Sequence, residues 1–417
     1  MKSVTIIALI GLLILPMGGK AAADGKSFDA HATSFAYFFK DTDMDFHFGN
    51  LILGSAGNGS VEIGEAFYAA SQIKDGDAAS WQTVWYQLAQ RVEARGIKSL
   101  ERGHTVSARN QLLRAAYYYR ISLLAMKPQN PELEIRGLKC RSLMKQAGAL
   151  FTPPLEFFEI PFENTVLQGY FRKADPSDKP AKTLIMIGGG ETYIEDLFFY
   201  IAPQAHERGY NFMTVDLPGQ GLSPHTGHVF RTDTNVPMKA VVDYALSRQD
   251  VDPDKLAAYG ISGGGLFVPQ AAMHDQRIKA IIMNSAVVDA YALFKSMPAA
   301  LASKEKRDLW TSFHSGVVES ICWRYGVNKP SELIEANKGN TFDASKIAAP
   351  ALLITGEGEY KSKEVQRQQK VALDNFSDPR SRLMVTPSDE GASNHCLMEN
   401  RSVVGQILFD WLDDIFK

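Results

Sequence analysis

Tyr259-Gly260-Ile261-Ser262-Gly263-Gly264-Gly265 is a G-x-S-x-G stretch, and its flanks decide how it is read. The apolar run 256–259 before it predicts a strand, and the run 266–273 after it predicts a helix. A serine at such a strand-to-helix turn is a nucleophile elbow. The turn is strained, the neighbouring backbone leaves no room for Cβ atoms on either side, and the hydroxyl is lifted to the end of the sheet. Ser262 is therefore the candidate nucleophile. The competing reading, a glycine-rich turn that carries an ordinary surface serine, weakens as catalytic partners are found downstream.

Outward from the elbow, short strands alternate with helices. Residues 155–162 and 165–172 predict an opening hairpin; strands follow at 183–187, 212–216, 256–259, 279–283, 351–355 and 382–386, with helices at 196–208, 238–247, 363–375 and 402–416. That alternation implies an α/β fold, a mostly parallel central sheet covered by helices on both faces. Residues 287–347 are mostly helical and interrupt the alternation, as an inserted lid would.

A nucleophilic serine needs a base, a carboxylate to orient the base, and amide donors for the oxyanion. In this sheet type the chain order is serine, acid, histidine. His395 follows the last predicted strand in the polar loop 388–394 and is the candidate base; His314 lies inside the inserted helices. The acid should leave strand 351–355, where Gly356-Glu357-Gly358-Glu359 offers two carboxylates and no aspartate. Glu359 is preferred because the glycines let the chain bend and place it past the strand end, and Glu357 is its rival. Gly263 and the loop Gly188-Gly189-Gly190, with Gly189 and Gly190 as the candidate donors, would supply oxyanion N–H groups. The glycines do not form a phosphate cradle, since a Walker lysine and a G-x-G-x-x-G are both absent. No H-x-x-E-H or cysteine cluster appears, so neither cofactor nor metal is expected.

Before the sheet, residues 28–150 read as helical. Trp81, Val84, Trp85, Leu88 and Val92 form one apolar stripe, Thr105 is a candidate N-cap for a second helix, and Asn130-Pro131 opens a third. Thr152-Pro153-Pro154 marks a boundary between a helical domain, residues 24–152, and the α/β domain, residues 153–417. The uncharged run 4–15 followed by Ala21-Ala22-Ala23 reads as a signal peptide over residues 1–23, cleaved after Ala23, and implies a periplasmic or secreted protein with no membrane span afterwards. Three cysteines cannot all pair within the chain, and no disulfide is expected. Hydrophobic content of 45%, charged content of 22% and a net charge of −3 are globular values, with no basic excess for nucleic acid.

These residues carry a resemblance. The elbow, Asp216-x-Pro218-Gly219-x-Gly221, the Gly188–Gly190 loop and His395 resemble the α/β-hydrolase superfamily. Gly76-Asp77 with Trp81 and Trp85, then Gly103-His104-x-x-Ser107-Ala108 and Arg114-Ala115-Ala116-Tyr117-Tyr118-Tyr119-Arg120, are similar to the N-terminal all-helical cap of the 2,6-dihydroxypseudooxynicotine hydrolase and fermentation-respiration switch group, which includes fungal hydrolases that shorten polyketide chains. The resemblance implies a Ser-Asp-His triad, a pocket between cap and core, and cleavage of a C–C, ester or related acyl bond in a small-molecule substrate. It also implies a possible homodimer. Glu359 stands where the group has aspartate, and His104 belongs to the cap motif as a structural residue. The relatives are largely intracellular, whereas this chain carries an export signal. The alternatives are a non-catalytic binder of a small ligand on the same fold, or a peptidase or acyltransferase of the same superfamily.

Overall fold

The computed structural model describes residues 28–177 and 179–417; the expected signal peptide, residues 1–23, lies outside them. Helices come first: α1 (Thr42–Phe46), α2 (Ile63–Ser71), α3 (Ala78–Glu101), α4 (Thr105–Ile121) and α5 (Glu132–Gly148). In α3, Asp77 caps the N-terminus by accepting from Ser80 N at 2.7 Å, and Trp81, Trp85, Leu88 and Val92 are buried. Thr105 was expected to cap α4; instead it is the first helical residue, and His104 occupies the cap position without a side-chain hydrogen bond. At α5 it is Asn130 Oδ1 that accepts from Glu132 N, at 3.0 Å, while Pro131 holds the cap position.

The sheet has eight strands: β1 (Leu155–Phe162), β2 (Thr165–Arg172), β3 (Ala181–Ile187), β4 (Asn211–Val215), β5 (Val251–Ile261), β6 (Ala280–Asn284), β7 (Ala351–Gly356) and β8 (Arg382–Thr386). Their spatial order is β1-β2-β4-β3-β5-β6-β7-β8; β1 pairs antiparallel with β2 and β2 with β4, and all other pairs are parallel. The helices α6 (Ile194–Glu207), α7 (Asn235–Ser247) and α8 (Gly264–Ala272) connect the central strands. Between β6 and β7 lie α9 (Ala290–Ser296), α10 (Lys304–Arg307), α11 (Ser312–Arg324) and α12 (Glu332–Ala336), and α13 (Glu357–Tyr360), α14 (Lys363–Asn375) and α15 (Arg401–Ile415) complete the chain. No helix among the described residues is long and apolar enough to cross a membrane.

The strand period of two divides the core. On β3, Leu184 and Met186 join one hydrophobic cluster while Ile185 and Ile187 join the other. The second cluster is closed by α7, α8 and α14. The first runs through α6 and α15 into α3, α4 and α5, so the N-terminal helices pack on the sheet side of the molecule as part of a shared core. Cys140, Cys322 and Cys396 are buried and free.

Buried charges tie the same seam. Arg141 of α5 donates from Nε to Glu195 Oε1 at 2.9 Å and from Nη2 to Asp216 Oδ2 at 2.7 Å. Tyr170 OH also donates to Glu195, at 2.9 Å. Burial opposes ionisation of Asp216 and pushes its carboxyl up to about 6, even with the arginine beside it. Replacing one member of a buried ion network leaves the others charged without a partner, which costs about 3–5 kcal/mol. Arg141→Ala is accordingly expected to lower the thermal unfolding temperature sharply. A melting curve within a degree of the parent would show that the network contributes nothing.

Candidate active site

Strand β5 ends at Ile261, Ser262 follows with φ +53°, and α8 begins at Gly264. The elbow is packed too closely for side chains. A Cβ on Gly260 would lie 1.9 Å from Gly264 O, and one on Gly189 would lie 2.5 Å from Ser262 Cβ. Gly260 is thus required by contact within the turn, and Gly189 by contact between the β3 loop and the turn.

The structure brings together the residues expected from the sequence. His395 Nε2 lies 3.0 Å from Ser262 Oγ, and His395 Nδ1 lies 3.1 Å from Glu359 Oε1. Glu359 stands on α13, directly past β7, and its Oε1 also accepts from Ser285 Oγ at 2.6 Å. Glu357, the rival acid, is turned away: its Oε2 accepts from Ser388 N at 2.9 Å and Ser388 Oγ at 2.6 Å. Burial disfavours a charged His395 ring, but Cys396 and Glu359 beside it outweigh burial and raise its pKa well above the ordinary 6.5. Burial pushes the Cys396 thiol up, so it stays neutral near pH 7 and the carboxylate is the partner that matters.

Of the expected oxyanion donors, Gly189 is displaced from the role. Its N–H donates to Thr192 Oγ1 at 2.8 Å, and it does not line the pocket. Gly190 and Gly263 do line it. The loop is held from below by Gln220, whose Nε2 donates to Gly188 O at 2.6 Å, so the Asp216–Gly221 turn acts as a support for the glycine loop. From the N-terminal helices, Arg120 donates to Asp196 Oδ2 and to Glu191 O, each at 2.9 Å.

The histidine loop is similarly braced. Cys396 and Leu397 both have positive φ, 59° and 52°, and the Cys396 carbonyl accepts from Tyr200 OH and from Asn284 Nδ2, the latter at 3.0 Å. Asn394 Nδ2 donates to Asn50 Oδ1 at 3.0 Å, and Ser34 N donates to Asn394 Oδ1 at 2.9 Å, so residues before the sheet clasp the loop. Phe28 packs edge-on against the His395 ring with centroids 5.8 Å apart.

Ser262, His395 and Glu359 open into a cavity of about 250 Å³. Its walls come from the N-terminal segment, including Phe28, Phe46 and Leu51, and from the β6–β7 insertion, including Phe294, Met297 and Val317. One polar group on this wall escaped the sequence reading: His31, Asp43, His47, Glu191 and His314 converge there. His314 comes from the insertion, and its ring pairs with Asp43. Burial would raise the Asp43 carboxyl, but His31 and His314 hold it well below the usual range. Burial would likewise lower His31, yet the ion pair with Asp43 and the nearby Glu191 raise it to about 9. Only Asp43 and His47 are joined by a local spacing, one helical turn; His31, Glu191 and His314 reach them only in the folded chain. His104 lies exposed at the start of α4, away from these walls.

Residues 182–315 match the family model for the alpha/beta hydrolase fold. The chain is 27% identical to Hydrolyase poxO of Penicillium oxalicum, over 90% of this chain and 98% of that protein. It is 27% identical to the 20-hydroxy-prefusarin hydrolase FUS2 of Gibberella moniliformis, over 91% of this chain and 97% of that one. The crystal structure of 2,6-dihydroxy-pseudo-oxynicotine hydrolase superposes with a TM-score of 0.70 at 20% identity, covering 87% of this chain and 95% of that chain. With its mostly parallel eight-stranded sheet and serine elbow, the chain has the α/β-hydrolase fold, and the curated proteins it is similar to along most of its length are named hydrolases.

Proposed function

We propose that the chain cleaves an ester or C–C acyl bond of a small, partly apolar substrate through a serine nucleophile and an acyl-enzyme. The observation that carries this reading is the continuous relay Glu359–His395–Ser262, with separations of 3.1 and 3.0 Å. His395 takes the Ser262 proton as Oγ attacks the carbonyl carbon. Glu359 accepts from Nδ1–H, which leaves Nε2 as the base and stabilises the imidazolium that forms. The N–H groups of Gly263 and Gly190 are the candidates to hold the oxyanion, and one such donor is worth about 3–4 kcal/mol of barrier. His395 then returns its proton to the leaving group, an alkoxide for an ester or a stabilised carbanion for a C–C bond, and water resolves the acyl-enzyme.

The size and largely apolar walls of the cavity favour a compact acyl compound over a protein chain. Two of the similar proteins are named for hydrolysis of 20-hydroxy-prefusarin and 2,6-dihydroxy-pseudo-oxynicotine, small hydroxylated molecules, which supports the same size class here. In this reading the N-terminal helices act as a cap over the site. The expected export signal would place the reaction in the periplasm or outside the cell.

A fluorophosphonate should label Ser262, and turnover of short p-nitrophenyl esters or of a C–C substrate should fall by at least about 10⁴-fold in Ser262→Ala. A protein that takes no label and turns over neither substrate class would be a binder on the same fold. Gly189→Ala should abolish labelling without unfolding, because the added methyl would overlap Ser262.

The pH dependence has a definite sign. A raised pKa favours the protonated ring, which cannot accept the serine proton, so kcat/KM should rise with pH along a limb centred above 6.5. Glu359→Gln should move that limb down towards 6.5 and lower kcat by roughly 10²–10⁴-fold. A limb that does not move would assign the orienting role to another group.

A further inference from the structure

We propose that His31, His47 and Glu191 form a binding site for a divalent transition-metal ion of the zinc class, in the wall of the cavity that holds Ser262. One ligand atom from each residue lies within 4.8 Å of the other two. His31 Nε2 and His47 Nε2 approach the same carboxylate oxygen, Glu191 Oε2, at 3.7 and 3.9 Å. Tetrahedral zinc with bonds of about 2.0–2.1 Å separates its ligands by about 3.3 Å, so a small closure of the side chains completes the set. Two imidazoles and a carboxylate are a donor set that zinc accepts, with a fourth position left for water or substrate.

The orientation of the rings is the independent observation. A main-chain carbonyl cannot donate, so His47 Nδ1–H must donate to Asp43 O, 2.7 Å away. His31 Nδ1 pairs with the Asp43 carboxylate, whose other oxygen takes His314. One residue therefore fixes both rings through Nδ1 and turns both Nε2 atoms towards Glu191, the arrangement that holds metal-binding histidines in register. His47 is buried, at 4% exposure, and sits where α1 passes into the wider helical turn His47–Ile52. All three ligands line the cavity, so an ion has a way in and its open position faces the substrate space.

Glu191 directly follows Gly190 in the glycine loop, which puts the ion on the oxyanion side of the cavity. If the proposed acyl chemistry holds, the site would take an anionic oxygen of the substrate, such as a carboxylate, phenolate or enolate, at a distance from the bond that breaks. That consequence rests on the reading above, whereas the metal site does not.

The test uses tag-free, full-chain Ser262→Ala protein, so binding is read without catalysis. After stripping with EDTA, Zn²⁺ is titrated against a chromophoric chelator, and Co²⁺ is added separately to read the visible spectrum of the site. The expected result is one equivalent of saturable, sub-micromolar Zn²⁺ and an intense cobalt spectrum typical of four-coordination. His47→Gln and Glu191→Gln should each weaken binding at least about 100-fold, while melting curves show that both variants fold. If His47→Gln does not fold, the isosteric Glu191→Gln decides alone. Binding that is absent, or that survives unchanged in a folded variant, would overturn the proposal and leave a proton on His31 as the group that satisfies Glu191.

Discussion

A guanidinium removed from water has to be matched by protein atoms, and in this molecule that need binds the N-terminal helices to the sheet. Arg120 and Arg141, from α4 and α5, reach into the sheet side and find Asp196, Glu195 and Asp216. Arg401 runs the other way, from α15 to the carbonyls of Asn50 and Leu51 at 3.2 and 3.1 Å. Such networks are weak evidence for net stability, because desolvation offsets much of the attraction. What they do supply is register: each charge has one place where its partners are, so the helices can settle on the sheet in only one way.

That register is passed to the reacting groups. Arg120 grips the Glu191 carbonyl at the end of the glycine loop, Gln220 grips Gly188 O, and Asn50 reaches Asn394 next to His395. Ser262, Cys396 and Leu397 all hold positive φ, a conformation that costs a non-glycine residue about 1–3 kcal/mol. The surroundings over-determine these residues, through Tyr200 and Asn284 on the Cys396 carbonyl and through backbone contact at the elbow. Local strain at the site and buried polar contacts around it are two parts of one arrangement.

Much of this was legible in the chain. Strand β8 and helix α14 begin and end where the sequence pattern puts them, and the other predicted strands and helices of the sheet domain fall within a few residues except at β5, because buried strands and amphipathic helices write different periods into the sequence. β5 begins at Val251, earlier than the apolar run at 256: Val251 pairs with Ala181 at the start of β3, and the polar stretch 252–255 falls at a register shift before pairing resumes between Leu256 and Thr183. Ser262, His395 and Glu359 could be ordered along the chain because each follows its own strand. Gly189 could not be separated from Gly190, as the deciding bond comes from the Thr192 side chain. The histidines of the cavity wall were invisible for a different reason: 31, 47 and 314 share neither a strand nor a helix face; the fold of the N-terminal segment brings His31 to His47, and packing of the insertion against that segment adds His314.

The cavity draws its nucleophile from the sheet but much of its lining from residues 28–51 and 290–325, two stretches distant from the elbow in sequence. Inheritance can therefore act on the two separately. Substitutions and small insertions in those wall segments would re-tailor the shape presented to a substrate while the bond-breaking groups stay as they are, and lineages that share this scaffold are free to diverge in diet without reinventing their chemistry.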